Sequence, residues 1–188
     1  MVKVAVLVSG GGTNLQAILD SRGSVINSAE IALVVSSSEK AYALQRAAKA
    51  GIPAVVAKKE AEVEAALAEH NIDLIVLAGY MKILSGEFTA KWDRRIINVH
   101  PALIPSFCGK GMYGLHVHEA ALAYGVKVSG ATVHFVNEIP DGGQIIFQKA
   151  VEVLPDDTPE TLQRRIMEQA EWILLPKAIE LVAKELNK

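Results

Sequence analysis

The strongest constraint on this chain is the way its first hundred residues alternate. Short runs rich in β-branched residues take turns with segments of helical period. "KVAVLVS" (Lys3–Ser9) reads as a buried strand, and "NLQAILDS" as a helix with Leu15, Ile18 and Leu19 on one face. "EIALVVSS" is a second strand, followed by the helix "AYALQRAAKAG", which Gly51 stops. "IPAVVA" is a short third strand, and "EAEVEAALAEHN" an acidic helix with Val63 and Leu67 spaced for burial. "DLIVLAGY" and "IINVH" supply strands four and five. Strands that alternate with helices need right-handed crossovers, so a largely parallel sheet covered on both faces is expected.

After residue 100 the pattern changes. "VKVSGATVHFV" (Val126–Val136) and "GQIIFQKAVEV" (Gly143–Val153) are long strand-like runs with too few residues between them for a helix. They read as an antiparallel hairpin added to the sheet. A long helical segment from Pro159 to Asn187 comes next, with Asp157 or Thr158 as its cap. The expected fold class is α/β: a Rossmann-like three-layer fold with a mostly parallel twisted sheet, a C-terminal antiparallel hairpin and a long C-terminal helix. One domain over 1–188 is expected, with residues 1–100 as a nucleotide- or phosphate-binding half and 101–188 as the other half.

Composition narrows the function. Hydrophobic residues make up 51% of the chain, ample for a core, and the net charge is −2. That balance gives no electrostatic case for a nucleic-acid or membrane partner. No apolar run reaches the ~18 residues of a membrane span, and "MVKVAVLVSGGG" lacks the cleavage site of a signal peptide. Cys108 is the single cysteine, so no intrachain disulfide forms and a cytoplasmic enzyme is expected. No His or Cys spacing suggests a metal site.

Two stretches carry candidate chemistry. "SGGGTNLQ" (Ser9–Gln16) runs from a strand through glycines to a helix start, the form of an anion site. It is not a dinucleotide fingerprint, because Leu15 stands in place of the third glycine and no acid closes strand two. Gly12, Thr13 and Asn14 offer amides and a hydroxyl to one phosphate; the alternative is a tight turn with Thr13 or Asn14 as a plain cap. In "IINVHPALIP", Asn98 and His100 are two residues apart and project to one side at the carboxyl end of strand five, where ligands of parallel sheets sit. Asn98 can donate to an oxygen that becomes negative, and His100 can move a proton near neutral pH. Asp141, in "IPDGGQ" at the hairpin tip, reads alone as a turn aspartate. Folded over strand five it would raise the pKa of His100.

The other histidines are weaker candidates. His134 is mid-strand and reads as structural; His116 and His118 flank the glycine-rich "SFCGKGMYG", expected to be a mobile surface loop. His118 reads as a surface residue or cap, and His70 as solvated. Cys108 has no base nearby in sequence to activate it. Glu168 and Glu171 lie one helical turn apart, by default on a solvated face beside an inward Trp172.

Taken in order, "SGGGTNLQAI", "LAGYMKIL", "INVHPALIPSF", "HEAAL", "GATVHFVNEIPDGGQII" and "AEWILLP" resemble the glycinamide ribonucleotide formyltransferases, folate-dependent enzymes of purine synthesis. The resemblance implies transfer of a formyl group from 10-formyltetrahydrofolate, as cosubstrate, to the amine of the nucleotide, with no metal. It matches Asn98, His100 and Asp141 to the catalytic trio. Gly12, Thr13 and Asn14 match the phosphate site, and Glu171 and Glu168 residues near the ribose or amine. Met81, Lys82, Ile83, Leu84, Asn98 and the hairpin loop Asn137, Glu138, Ile139, Pro140 and Asp141 match the folate site. Lys59 stands near where the family uses an arginine at the folate tail. Small-molecule partners are implied; a homodimer is compatible with the sequence.

Three features depart from the pattern. The segment "SFCGKGMYGLHVHEAAL" is longer than in many members, Trp172 stands where many have a histidine, and the chain stops at Lys188 without an extension. The alternative readings are a 10-formyltetrahydrofolate hydrolase, a formyltransferase to another amine, and a non-catalytic phosphate- or nucleotide-binding module. A methionyl-tRNA formyltransferase needs a further C-terminal domain, and a formyltetrahydrofolate hydrolase usually begins with a regulatory one. A non-catalytic phosphate-binding module has no reason to combine Asn98, His100 and Asp141. An NAD-dependent oxidoreductase lacks its glycine and its acid.

Overall fold

The computed structural model describes all residues, Met1–Lys188. Seven strands form one sheet in the order β3-β2-β1-β4-β5-β6-β7. They are β1 (Val2–Val8), β2 (Ala29–Ser36), β3 (Ala54–Val56), β4 (Leu74–Leu77), β5 (Ile96–His100), β6 (Val128–Phe135) and β7 (Ile145–Glu152). β1 to β5 are parallel, while β6 runs antiparallel to both β5 and β7. The mostly parallel sheet with its C-terminal hairpin is therefore as the sequence pattern requires. No helix is long and apolar enough to cross a membrane.

The helices are α1 (Thr13–Asp20), α2 (Ala43–Lys49), α3 (Glu60–Glu69), α4 (Gly86–Lys91), α5 (Leu115–Tyr124), α6 (Pro159–Ile166) and α7 (Trp172–Leu186). The period-2 geometry of β1 divides its side chains between two cores. Val4, Val6 and Val8 pack with Leu15 and Ile18 of α1, Leu162 of α6 and Leu175 of α7. Ala5 and Leu7 pack on the other face with Val63 and Leu67 of α3 and Phe88 of α4. Three layers result.

Two features differ from the sequence reading. α4 is absent from the sequence pattern; its six residues carry too little periodicity, and it is held by a Ser85 hydroxyl that accepts from Phe88 N–H (3.1 Å) and by the buried Phe88. The C-terminal helix is also not continuous. A π-helical turn, Met167–Glu171, separates α6 from α7. Such a turn adds a residue and rotates the downstream residues about the helix axis, so Glu168 and Glu171 do not share a face: Glu168 is exposed and Glu171 is buried. Of the two cap candidates, Thr158 caps α6, while Asp157 takes Arg165 in a two-pronged ion pair (2.6 and 2.5 Å).

The topology sets where ligands can bind. From β1 the chain winds outward to β2 and β3 on one side, and to β4 and β5 on the other. The carboxyl ends of β1, β4 and β5 therefore share one edge at the switch point of the sheet, the expected place for a ligand crevice. The hairpin ends β6 opposite the start of β5, Phe135 facing Ile97, and its tip folds back so that Asp141 reaches His100. Its closure depends on Gly143, where a Cβ would collide with the Phe135 carbonyl oxygen.

Candidate active site

At the end of β1, Gly12 takes a left-handed conformation (φ 71°) and serves as the N-cap of α1. A Cβ there would lie 2.7 Å from that of Ala43. Neither Thr13 nor Asn14 caps the helix, so the plain-cap alternative does not hold. The backbone N–H groups of Gly11, Gly12, Thr13 and Asn14 have no acceptor in the protein, which is the form of an anion cradle at a helix start. Thr13 is exposed, and its hydroxyl contacts the Met167 sulfur at 3.8 Å. Asn14 is buried and donates through Nδ2 to Glu171 Oε2 at 2.7 Å.

Glu171 is thus next to the cradle although 157 residues away in sequence. Burial pushes its carboxyl up to about 7, against the lowering effect of the Asn14 hydrogen bond. Glu168 instead accepts from Arg164 Nε at 2.8 Å on the surface. A buried carboxyl with a raised pKa holds its proton in the folded chain at pH values where the unfolded chain has lost it. Stability of the free protein therefore falls as pH rises from the ordinary glutamate range to about 7, then levels. Glu171→Gln removes that dependence. It is expected to melt on the order of 5 °C above the parent at pH 8, with the gap closing toward pH 5. Thermal unfolding followed by circular dichroism at both pH values checks this; a gap independent of pH would contradict it.

The second group lies beyond β5. His100 is buried and Asn98 half-buried. The Phe107 carbonyl faces His100 Nε2 at 2.8 Å, so that nitrogen carries a hydrogen and donates it. Nδ1 is left facing Asp141 Oδ2 at 3.5 Å. Asp141 holds a left-handed turn conformation (φ 57°), so it is a turn aspartate, and its carboxylate also turns inward. Oδ2 accepts the Gly109 N–H at 2.8 Å, and Oδ1 lies 3.6 Å from His134 Nε2. Burial would raise the Asp141 carboxyl. The neighbouring His134 ring, the charge of His100 and the Gly109 N–H outweigh it and hold the group below the usual range.

The net effect on His100 differs from the sequence expectation. Burial lowers its pKa, and this is larger than the opposing pull of Asp141 and the Phe107 carbonyl. Asp141 acts in the expected direction but does not prevail. The glycine-rich segment also differs from a free surface loop, since its Phe107 carbonyl and Gly109 amide clasp His100 and Asp141.

Two histidines escaped sequence reasoning. Antiparallel pairing sets His134 directly opposite Asn98. Asn98 Nδ2 lies 3.2 Å from His134 Nε2, and His134 Nδ1 lies 2.7 Å from the Phe135 carbonyl. The signal was the i, i+2 match between two strands, legible only once their register is known. His118 is neither a surface residue nor a cap: it is fully buried, both ring nitrogens lack partners, and burial followed by the charge of His100 brings it down to about 4. His116 is exposed and pairs with Glu119 (3.0 Å). His70 is the C-cap of α3, its Nδ1 2.9 Å from the Ala66 carbonyl. Burial, then Asp141, raises the Cys108 thiol, which does not favour a nucleophile.

Between these strand ends and the hairpin tip is an open cleft, the kind of concave surface that small molecules use. Leu77, Tyr80, Lys82, Ile83, Leu84, Asn98, His134 and the whole run Asn137–Asp141 line it. Met81 is outside the lining, its N–H bonded to the Ser9 hydroxyl at 2.8 Å. Lys59, at the N-terminus of α3, is outside it too. A strip of aliphatic side chains with backbone polar groups suits a flat heterocycle, and Asn98 with Asp141 in the wall supplies donors and charge.

The chain matches the formyl transferase family model over residues 2–179. It is 43% identical to the phosphoribosylglycinamide formyltransferase of Haemophilus influenzae, over 95% of this chain and 86% of that protein. It is 46% identical to the trifunctional purine biosynthetic protein adenosine-3 of Gallus gallus over 97% of this chain, and spans only 18% of that longer protein. Among solved structures, the phosphoribosylglycinamide formyltransferase of Anaplasma phagocytophilum superposes with a TM-score of 0.89 at 39% identity, covering 98% of this chain and 88% of that one. Agreement of sequence and fold along almost its whole length establishes that the chain belongs to the formyl transferase family.

Proposed function

We propose that the protein transfers the formyl group of 10-formyltetrahydrofolate to the amine of N1-(5-phospho-D-ribosyl)glycinamide, a step of de novo purine biosynthesis. The observation that carries this reading is the sharing of one sheet edge by two sites. One is a cradle of unpartnered amides suited to a phosphate; the other is an apolar cleft with Asn98 and Asp141 in its wall. The names borne by relatives that match this chain over most of both lengths support the same substrates.

In this reading the phosphate rests on Gly12, Thr13 and Asn14, and Glu171 faces the ribose or amine. The folate ring lies against Lys82–Leu84 and Asn137–Asp141. The amine attacks the formyl carbon directly, and a tetrahedral intermediate forms whose oxygen carries negative charge. Asn98 donates to that oxygen. His100 Nε2 is committed to Phe107, so Nδ1 is the nitrogen that gains and loses a proton, delivering it toward the folate nitrogen as the intermediate collapses. Asp141 favours the charged ring. Holding both substrates at one edge replaces a bimolecular encounter with an oriented one.

The test is spectrophotometric. The protein is mixed with 10-formyltetrahydrofolate, and folate absorbance is followed with and without glycinamide ribonucleotide. A change that requires the nucleotide is expected. A change without it would replace this reading with hydrolysis, and no change in either case would refute it.

A further inference from the structure

The loop between β1 and α1 is fastened through its carbonyls. Ala43 N–H donates to Gly10 O (3.1 Å) and Gln16 N–H to Gly12 O (2.9 Å). Between them, Gly11 O accepts from Arg46 Nε at 2.8 Å. Three successive carbonyls are thus taken, while the adjoining amides have no acceptor. In a planar trans peptide, the oxygen of one residue and the N–H of the next point to opposite sides. Holding the Gly11 oxygen toward α2 therefore turns the Gly12 N–H away from α2. Arg46 supplies the one side-chain contact among the three.

Arg46 is itself held in place. Its Nη1 donates to Gln16 Oε1 at 2.9 Å, and its guanidinium lies 5.0 Å from the centre of the Tyr42 ring. The arginines of α6 are neutralised, Arg164 by Glu168 and Arg165 by Asp157. Arg46 has no carboxylate within ion-pair distance; Asp20, which shares a hollow with it, accepts from Gln16 instead (2.8 Å). A fixed, uncompensated positive charge beside an amide cradle suits an anion.

We propose that Arg46 is a positioning residue for the nucleotide's phosphate: it locks the Gly11 peptide so that the Gly12 amide faces the anion, and lends the loop an unneutralised charge. This rests on the reading of the loop as the phosphate site. The experiment measures, by titration calorimetry, the affinities for glycinamide ribonucleotide and for its dephosphorylated nucleoside. Their ratio isolates the phosphate. Arg46→Gln is expected to lower that ratio by about tenfold and to leave nucleoside affinity unchanged. Arg46→Lys keeps the charge without the planar fork and should fall between the two. Lys49→Gln, on the same helix and exposed, should match the parent. In turnover, the KM for nucleotide should rise in Arg46→Gln while the KM for folate holds. An unchanged ratio in Arg46→Gln overturns the proposal, as does equal weakening of both ligands. A parental ratio in Arg46→Lys overturns the peptide-locking half. A parent that does not prefer the phosphorylated ligand overturns the phosphate reading of the loop instead.

Discussion

Replacing His100 with alanine is expected to lower turnover by about a thousandfold, the usual scale for loss of a general acid–base group. The pH profile of Asp141→Asn then separates the roles of the pair. His100 already sits below its ordinary value because burial disfavours the imidazolium, and Asp141 is the largest influence holding it up. Without that carboxylate the pKa must fall further. If the charged ring is the working form, kcat falls as pH rises through the His100 pKa. In Asp141→Asn that fall begins at lower pH, and turnover at pH 7 drops about a hundredfold. The acidic limb caused by protonation of Asp141, itself held below the carboxylate range, disappears at the same time. Rates measured from pH 5 to 9 on both chains decide the matter. An alkaline limb that stays in place would detach Asp141 from His100, and one that moves upward would reverse the assigned charge state. His100 is buried, so far-UV circular dichroism of each variant accompanies the kinetics.

The part of this arrangement legible in the sequence is the part encoded locally. The β5 run Ile96–His100 is bounded by its own composition and by Pro101, and strand geometry alone aligned Asn98 with His100. The glycines after β1 and the Asp-Gly-Gly tip were visible for the same reason: backbone turns demand particular residues nearby. What stayed hidden depends on distant register. His134 looks like any mid-strand histidine until β6 pairs with β5 and sets it opposite Asn98. Glu171 looks like one of two surface acids until the π-helical turn rotates it inward against Asn14. The burial of His118 depends on how α5 packs against α6. The sign of the His100 shift was hidden as well, because desolvation is a property of the packed chain and not of any motif.

Asn98→Ala should cost about 10²–10³ in kcat, as loss of one oxyanion donor does, and the hydrogen bonds around it explain why aspartate should do worse. The Phe135 carbonyl faces His134 Nδ1, so that nitrogen carries the hydrogen in a neutral ring. His134 Nε2 is then an acceptor, and the amide group of Asn98 gives it one hydrogen at 3.2 Å. An –NH₂ group has two. The second is free to donate into the cleft that Asn98 lines, where the formyl oxygen gains charge in the proposed reaction. Asp in this position offers the His134 nitrogen and the oxyanion a carboxylate in place of donors, and adds a second negative charge beside His134, which already faces Asp141 at 3.6 Å. Asn98→Asp is therefore expected to fall below Asn98→Ala in kcat, despite being closer in shape. Both should bind folate with affinity close to the parent's, because the donor matters most once the oxygen is charged. Single-turnover rates with both substrates saturating give the comparison directly. An Asn98→Asp chain as active as the parent, or a loss confined to folate KM, would remove Asn98 from the oxyanion role and leave it as a wall of the cleft.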